Sequence, residues 1–294
     1  MGPGWQTPAL TSKHMKLLAF DLDGTLVHEP DGHVSPRDMQ AIDEARAAGL
    51  EVLIVTGRSW RSTKPVYEEL RLTGPAICYV GALTVADGTG RVLSHRPLPP
   101  EAWESLRAFA LREGLPVTAC VGADQAVVEG ALPIGATGLV AADTAFATRQ
   151  ADDFPPWESW NPYSVMSPDL AHVQAPPIML AVYGERAVRR VQAAYPEGLP
   201  ACQFDLYDKV AGELALHIWR VDVDKGVALA AYCRSRGIRP EEVAAFGDMP
   251  MDGSMLQFAG LGVAVPGAHP ALKRVADHIA EPHEVIRAIL EGKA

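Results

Sequence analysis

The chain's 294 residues can bury one large core or two modest ones, and two domains is the expected organisation. With 48% hydrophobic and 21% charged residues, the composition is that of an ordinary globular protein and excludes wholesale disorder. A formal net charge of -10 works against a nucleic-acid partner, no stretch approaches the ~18 apolar residues of a membrane span, and the expected location is the cytoplasm.

Residues 1–14 carry Gly, Pro and polar residues without an apolar run, so they do not read as a signal peptide and are expected to precede the folded domain. Residues 16–20 form a short apolar run that ends in a polar, Gly-containing turn, as a buried parallel strand does at its C-terminal end. Ser35 and Pro36 then read as an N-cap and first helical residue, Met39, Ile42 and Ala45 share one face, and Gly49 ends the helix. A strand over 51–55, a helix over 59–70 and a strand over 76–80 continue the alternation. That order predicts a doubly wound parallel sheet.

After Gly81 the rhythm changes. Residues 84–86 and 91–94 flank Asp87-Gly88-Thr89-Gly90, which is antiparallel hairpin chemistry, and an inserted domain is expected to begin here. Its predicted elements are a helix over 101–113 whose Trp103, Leu106 and Phe109 pack a core, short strands near Val117 and Val127, and a strand over 178–182. A helix over 186–194 and strands over 202–206 and 214–218 complete it. The Pro-rich segment 154–177, with Trp157, Trp160 and Tyr163, reads as a long loop over a satellite hydrophobic cluster. From Lys225 the first rhythm returns: a helix to Arg236, a strand over 243–246, a helix after Pro250, a strand over 261–265 and a helix from Glu284. The expected fold is therefore α/β. A doubly wound Rossmann-like core of residues 15–83 and 220–294 carries an inserted α+β cap over 84–219. Cys78, Cys120, Cys202 and Cys233 lie far apart without a CxxC pair, so they read as buried free thiols and signal neither zinc nor disulfides.

Asp21 and Asp23, one residue apart at the end of the first strand, crowd negative charge that calls for a cation. Mg²⁺, with its oxygen ligands and open positions for substrate phosphate, suits the pair. One carboxylate can then attack phosphorus while the other serves as general acid and base. Asp248 and Asp252 follow another predicted core strand, and parallel strand ends meet at one edge of a sheet, where all four acids can converge. Thr56 ends the second strand beside the free backbone donors of Gly57 and the cation of Arg58, an arrangement that binds phosphate oxygens. Lys225 opens a helix and can neutralise the nucleophile and the transferring phosphoryl group. His217 lies on the strand face opposite Leu216 and Ile218, where a ligand or a half-buried packing role are both open to it.

DLDGT at 21–25, VTGR at 55–58, DKGVAL at 224–229 and FGDMPMD at 246–252, in this order and with these separations, resemble the four motifs of the haloacid dehalogenase superfamily. More narrowly, they are similar to its Cof-type phosphatases, whose large type IIB cap sits between the second and third motifs. The resemblance runs from Met15 to the C-terminal region. It implies that Asp21 is the phosphoryl-accepting nucleophile and a Mg²⁺ ligand, and that Asp23 is the general acid/base with its carbonyl on the ion. It also implies that Thr56 binds the phosphoryl group, that Lys225 neutralises charge, that Asp248 is the second metal-binding carboxylate and that Asp252 is a supporting acid. The implied activity is hydrolysis of a small phosphorylated metabolite, a sugar phosphate or similar. A phosphomutase of the same superfamily and a non-catalytic protein that binds a phosphorylated metabolite are the alternatives.

Three positions depart from the family's pattern: Val80, Met251 and Gly267 stand where it often has asparagine. Asn161 is the only asparagine in the chain, so the departures read first as compositional.

Overall fold

A computed structural model describes residues 15–28, 32–115, 117–120, 137–141, 164–167, 176–210 and 213–292. The N-terminal fourteen residues, the strand expected near Val127, and Trp157, Trp160 and Tyr163 lie outside them.

The centre of the molecule is β1 (Leu17–Phe20), all four of whose residues are buried. It pairs in parallel with β2 (Glu51–Val55) on one side and with β12 (Val243–Gly247) on the other, Phe20 standing opposite both Ile54 and Phe246. The alternation of a strand sends Leu18 and Phe20 to one face, where α1 (Pro36–Ala47) and α7 (Pro282–Leu290) cover them with Ile42, Ala45, Ile286 and Ile289. Leu17 and Ala19 point the other way, against Leu229 of α5 (Lys225–Arg236) and Met255 and Leu256 of α6 (Gly253–Phe258). Both faces are thus covered, as a parallel sheet requires, and the Phe20 and Phe246 rings stack at 4.6 Å beneath the strand ends.

The remaining core strands are β3 (Ala76–Cys78), β4 (Leu83–Val85), β5 (Val92–His95), β13 (Leu261–Ala264) and β14 (His278–Ile279), in the order β14-β13-β12-β1-β2-β3-β4-β5. The helix starts follow local chemistry. Ser35 accepts a hydrogen bond from the Asp38 N–H ahead of Pro36, and Ser59 does the same for Ser62 at the start of α2 (Trp60–Glu69).

Two expectations about this sheet are corrected. The third strand stops at Cys78, because Tyr79 and Val80 turn to φ 49 and 56 in a 3₁₀ turn. A β-branched residue in the left-handed region is strained, and an asparagine there would tolerate it better. The absent asparagine at Val80 is therefore a conformational matter as well as a compositional one. The β4–β5 hairpin, expected to open the inserted domain, instead hydrogen-bonds antiparallel to β3 and extends the core sheet. Turn residues identify a hairpin, but not the sheet edge it joins.

The inserted cap is built from α3 (Pro100–Glu113), β6 (Val117–Cys120), β7 (Thr137–Ala141), β8 (Ser164–Ser167), β9 (Met179–Tyr183), α4 (Glu185–Ala194), β10 (Cys202–Val210) and β11 (Glu213–Arg220). Its strands form a second sheet in the order β10-β11-β9-β6-β7-β8. Strand β8 lies within the segment expected to be wholly loop; four residues among prolines carry too little periodicity to announce a strand. Trp103, Leu106, Val188 and Val191 of the two helices pack against Leu180, Val182, Leu216 and Ile218 on one face of this sheet. Cys78 and Cys233 are buried free thiols, as expected, and Cys202 is half-buried. No helix among the described residues is long and apolar enough to cross a membrane.

Candidate active site

The parallel pairing of β2, β1 and β12 brings their C-terminal ends to one edge, with Thr56, Asp21 and Asp248 each one residue past its strand. The Asp21 N–H donates to the Phe246 carbonyl at 3.0 Å, which continues the pairing up to the site itself. Gly24 is needed here twice over. Its φ of +77 belongs to the left-handed region, and a Cβ on it would overlap the Asp248 carboxylate.

Helix α5 delivers Lys225 into this edge. Its ammonium donates to Asp21 Oδ1 at 2.6 Å and to Asp252 Oδ1 at 2.5 Å, with the side chain only 1% exposed. Gly226 lets the helix start approach the chain at Ser254, whose backbone carbonyl would lie 2.5 Å from any added Cβ. Asp252 closes the network from the other side, its Oδ2 accepting the N–H groups of Asp248 at 3.0 Å and Met249 at 2.9 Å. Asp252 thus fixes both the lysine and the loop that carries Asp248.

Carboxylate oxygens of Asp21, Asp248 and Asp252 all lie within 4.8 Å of one another. Three carboxylates against the one ammonium of Lys225 leave a formal charge of -2. Asp248 Oδ1 is buried and has no hydrogen-bond partner. An oxygen-only donor set, an unpartnered buried oxygen and a deficit of two charges fit a hard divalent cation. The titration behaviour agrees. Burial pushes Asp21 up to about 8 although Lys225 pulls it down, and Asp252 adds to the rise. Burial and then Asp252 push Asp248 up to about 6. Lys225 is itself held protonated beyond its ordinary range, since its two carboxylates outweigh the cost of burying it.

Asp23 stands apart from this cluster. Its carboxylate, 63% exposed, is gripped by the Arg58 guanidinium, Nε donating to Oδ2 at 2.9 Å and Nη2 to Oδ1 at 2.5 Å. Arg58, expected among the phosphate-binding groups, directs its third nitrogen to the Ser62 carbonyl. Thr56 is fully buried and its hydroxyl accepts the Arg58 N–H at 3.1 Å, while Gly57 beside it is exposed. Met251 is half-buried and Gly267 borders open space, so neither missing asparagine disturbs the pairings of Asp21, Lys225, Asp248 and Asp252. The Arg58–Asp23 fork is the feature that motif reading missed, although the Asp and Arg of two neighbouring strand ends were its available signal.

The profile of the haloacid dehalogenase-like hydrolases matches residues 18–291. The chain is 28% identical over 273 residues to pyridoxal phosphate phosphatase YbhA of Escherichia coli, covering 88% of this chain and 90% of that protein. It is 26% identical over 284 residues to the 5-amino-6-(5-phospho-D-ribitylamino)uracil phosphatase YitU of Bacillus subtilis, covering 91% and 93% respectively. Among solved structures, a haloacid dehalogenase-like hydrolase from Bacteroides thetaiotaomicron shares the fold with a TM-score of 0.73 at 23% identity, over 94% of this chain and 99% of that one. A match spanning both sheets and every motif of the site leaves one assignment: the chain belongs to the haloacid dehalogenase-like hydrolases.

Proposed function

We propose that the protein is a Mg²⁺-dependent hydrolase of small phosphomonoesters that works through a phosphoaspartate on Asp21. The observation that carries this reading is the buried Asp21 carboxylate held by Lys225 in a pocket two positive charges short of neutrality. The two phosphatases above act, by their names, on small phosphorylated metabolites, which supports the substrate class.

In the first step an Asp21 oxygen bonds to phosphorus, the ester P–O bond breaks, and Asp23 gives its proton to the departing oxygen. In the second, water bonds to phosphorus, Asp23 takes the proton, and cleavage of the P–O bond to Asp21 releases phosphate. Lys225 and Asp252 hold Asp21 in line, while the Thr56 hydroxyl and Gly57 N–H bind phosphoryl oxygens. Asp23 leaves the Arg58 fork to serve as the acid, and closure of the cap over the substrate excludes water while it does so. Asp21, Asp248 and the Asp23 carbonyl would hold Mg²⁺, which would supply charge that offsets the phosphoryl oxygens.

The test is release of free phosphate from p-nitrophenyl phosphate by the purified protein with Mg²⁺ and not with a chelator. Absence of turnover, or return of the phosphoryl group to an acceptor alcohol instead of water, sinks the reading.

Two further outcomes are expected. Ionised carboxylates bind the ion, so protonation competes: Mg²⁺ affinity falls as pH drops through the range of Asp21, raised to about 8, and falls more steeply below about 6, where Asp248 also takes up a proton. Titration calorimetry across that range checks it, and a pH-independent affinity contradicts it. Gly24→Ala is expected to lower kcat/KM on the order of 100-fold by displacing Asp248, with kinetics on p-nitrophenyl phosphate as the measurement.

A further inference from the structure

The cap sheet has two unlike faces. One is sealed by α3 and α4 through Leu180, Val182, Leu216 and Ile218. On the other, Ala181, Ala215 and Trp219 belong to the same contiguous buried cluster as Tyr79 and Val80 of the core. Those two residues flank the phosphate-binding turn, the Tyr79 N–H donating to the Arg58 carbonyl and the Val80 N–H to the Thr56 carbonyl. This cap face therefore turns toward the core, away from the side closed by α3 and α4.

Strand alternation puts His217 on that face with Trp219, and Asp205 lies directly opposite His217 in the β10–β11 register. The buried Trp219 indole N–H donates to Asp205 Oδ2 at 2.6 Å, and Gln203 Nε2 reaches the same oxygen at 3.3 Å. Asp205 Oδ1 accepts no hydrogen bond, and no Lys or Arg pairs with the group, among the described residues. The neighbouring His217 adds no compensating charge, because burial pushes its imidazole down to about 4. The face thus presents one fixed negative charge with a spare acceptor.

We infer that Asp205 is a specificity-determining residue that favours leaving groups bearing hydroxyl donors and rejects those carrying a second negative charge. A hydroxyl hydrogen-bonds to Oδ1, whereas a carboxylate or second phosphate meets like charge in a half-buried setting. The inference rests on the phosphatase reading above. The competing role for Asp205 is purely structural, as acceptor for the Trp219 N–H. Asp205→Asn separates the two, since the amide oxygen keeps that bond while the charge is lost and the spare acceptor becomes an N–H donor.

The experiment compares kcat/KM for p-nitrophenyl phosphate, sorbitol 6-phosphate and 6-phosphogluconate, the last two differing mainly in a terminal hydroxymethyl against a carboxylate. The protein is expected to favour sorbitol 6-phosphate by roughly 10- to 100-fold. Asp205→Asn is expected to narrow that ratio by raising turnover of 6-phosphogluconate, with p-nitrophenyl phosphate unchanged. An unaltered ratio in the variant, no preference in the unmodified protein, or turnover of the aryl ester alone overturns the inference while the phosphatase reading stands. An unmodified protein inert toward all three removes both.

Discussion

Asp21→Asn is expected to lower kcat for p-nitrophenyl phosphate by about 10⁴-fold or more, because an amide oxygen cannot form the covalent intermediate. The substitution is nearly isosteric, and the site's other anchors survive it. Lys225 keeps Asp252 at 2.5 Å, and the Asp21 backbone N–H keeps the Phe246 carbonyl. Burial already disfavours the Asp21 carboxylate, so removing its charge is not expected to unfold the protein. The urea midpoint should therefore stay close to that of the unmodified chain. Rapid quench with ³²P-labelled substrate adds a second readout: acid-stable label on the unmodified protein, none on the variant. Unaltered turnover in Asp21→Asn would place the nucleophile elsewhere, and Asp248 would be the next carboxylate to test.

Most of this site is legible in the sequence because its residues sit at the ends of strands whose burial is written as unbroken apolar runs. LLAF before Asp21, EVLIV before Thr56 and VAAFG before Asp248 each announce a covered parallel strand, and parallel strands align their ends. The contacts between those ends are less legible. Arg58 and Asp23 are 35 residues apart, and only the register of β1 against β2 makes them neighbours. The bond of Asp252 to Lys225 depends on a 3₁₀ turn at Pro250–Asp252, which no hydrophobic period encodes. The hairpin at Asp87–Gly90 shows the same limit at the level of the fold, since its turn is local and its choice of sheet edge is not. In the cap the reading is weakest where strands are short and polar, as at β8. Asp205 was silent for a related reason: its meaning comes from Trp219 and His217 across a strand pair, not from its neighbours in the chain.

Lys225→Met is expected to destabilise the protein by about 3–5 kcal/mol near pH 8 without Mg²⁺, since methionine keeps the apolar stem but leaves two buried carboxylates without their cation. The pH dependence identifies the cause. In the unmodified protein Asp21 is already raised above its ordinary value, so the folded state binds a proton that the unfolded state has released. Stability from this group is present at acid pH and is lost as pH rises through the raised value. Removing the lysine removes the interactions that hold Asp21 down, so the rise becomes larger and the loss extends to higher pH. The deficit measured by urea unfolding should accordingly be larger near pH 8 than near pH 5, where Asp21 of the variant is protonated and the missing ammonium matters less. An equal deficit at both would assign the lysine's contribution to packing alone. Added Mg²⁺ should recover part of the stability by binding the folded state, yet not the activity, because the ion's charge cannot replace a donor 2.6 Å from the Asp21 oxygen that holds the nucleophile in line.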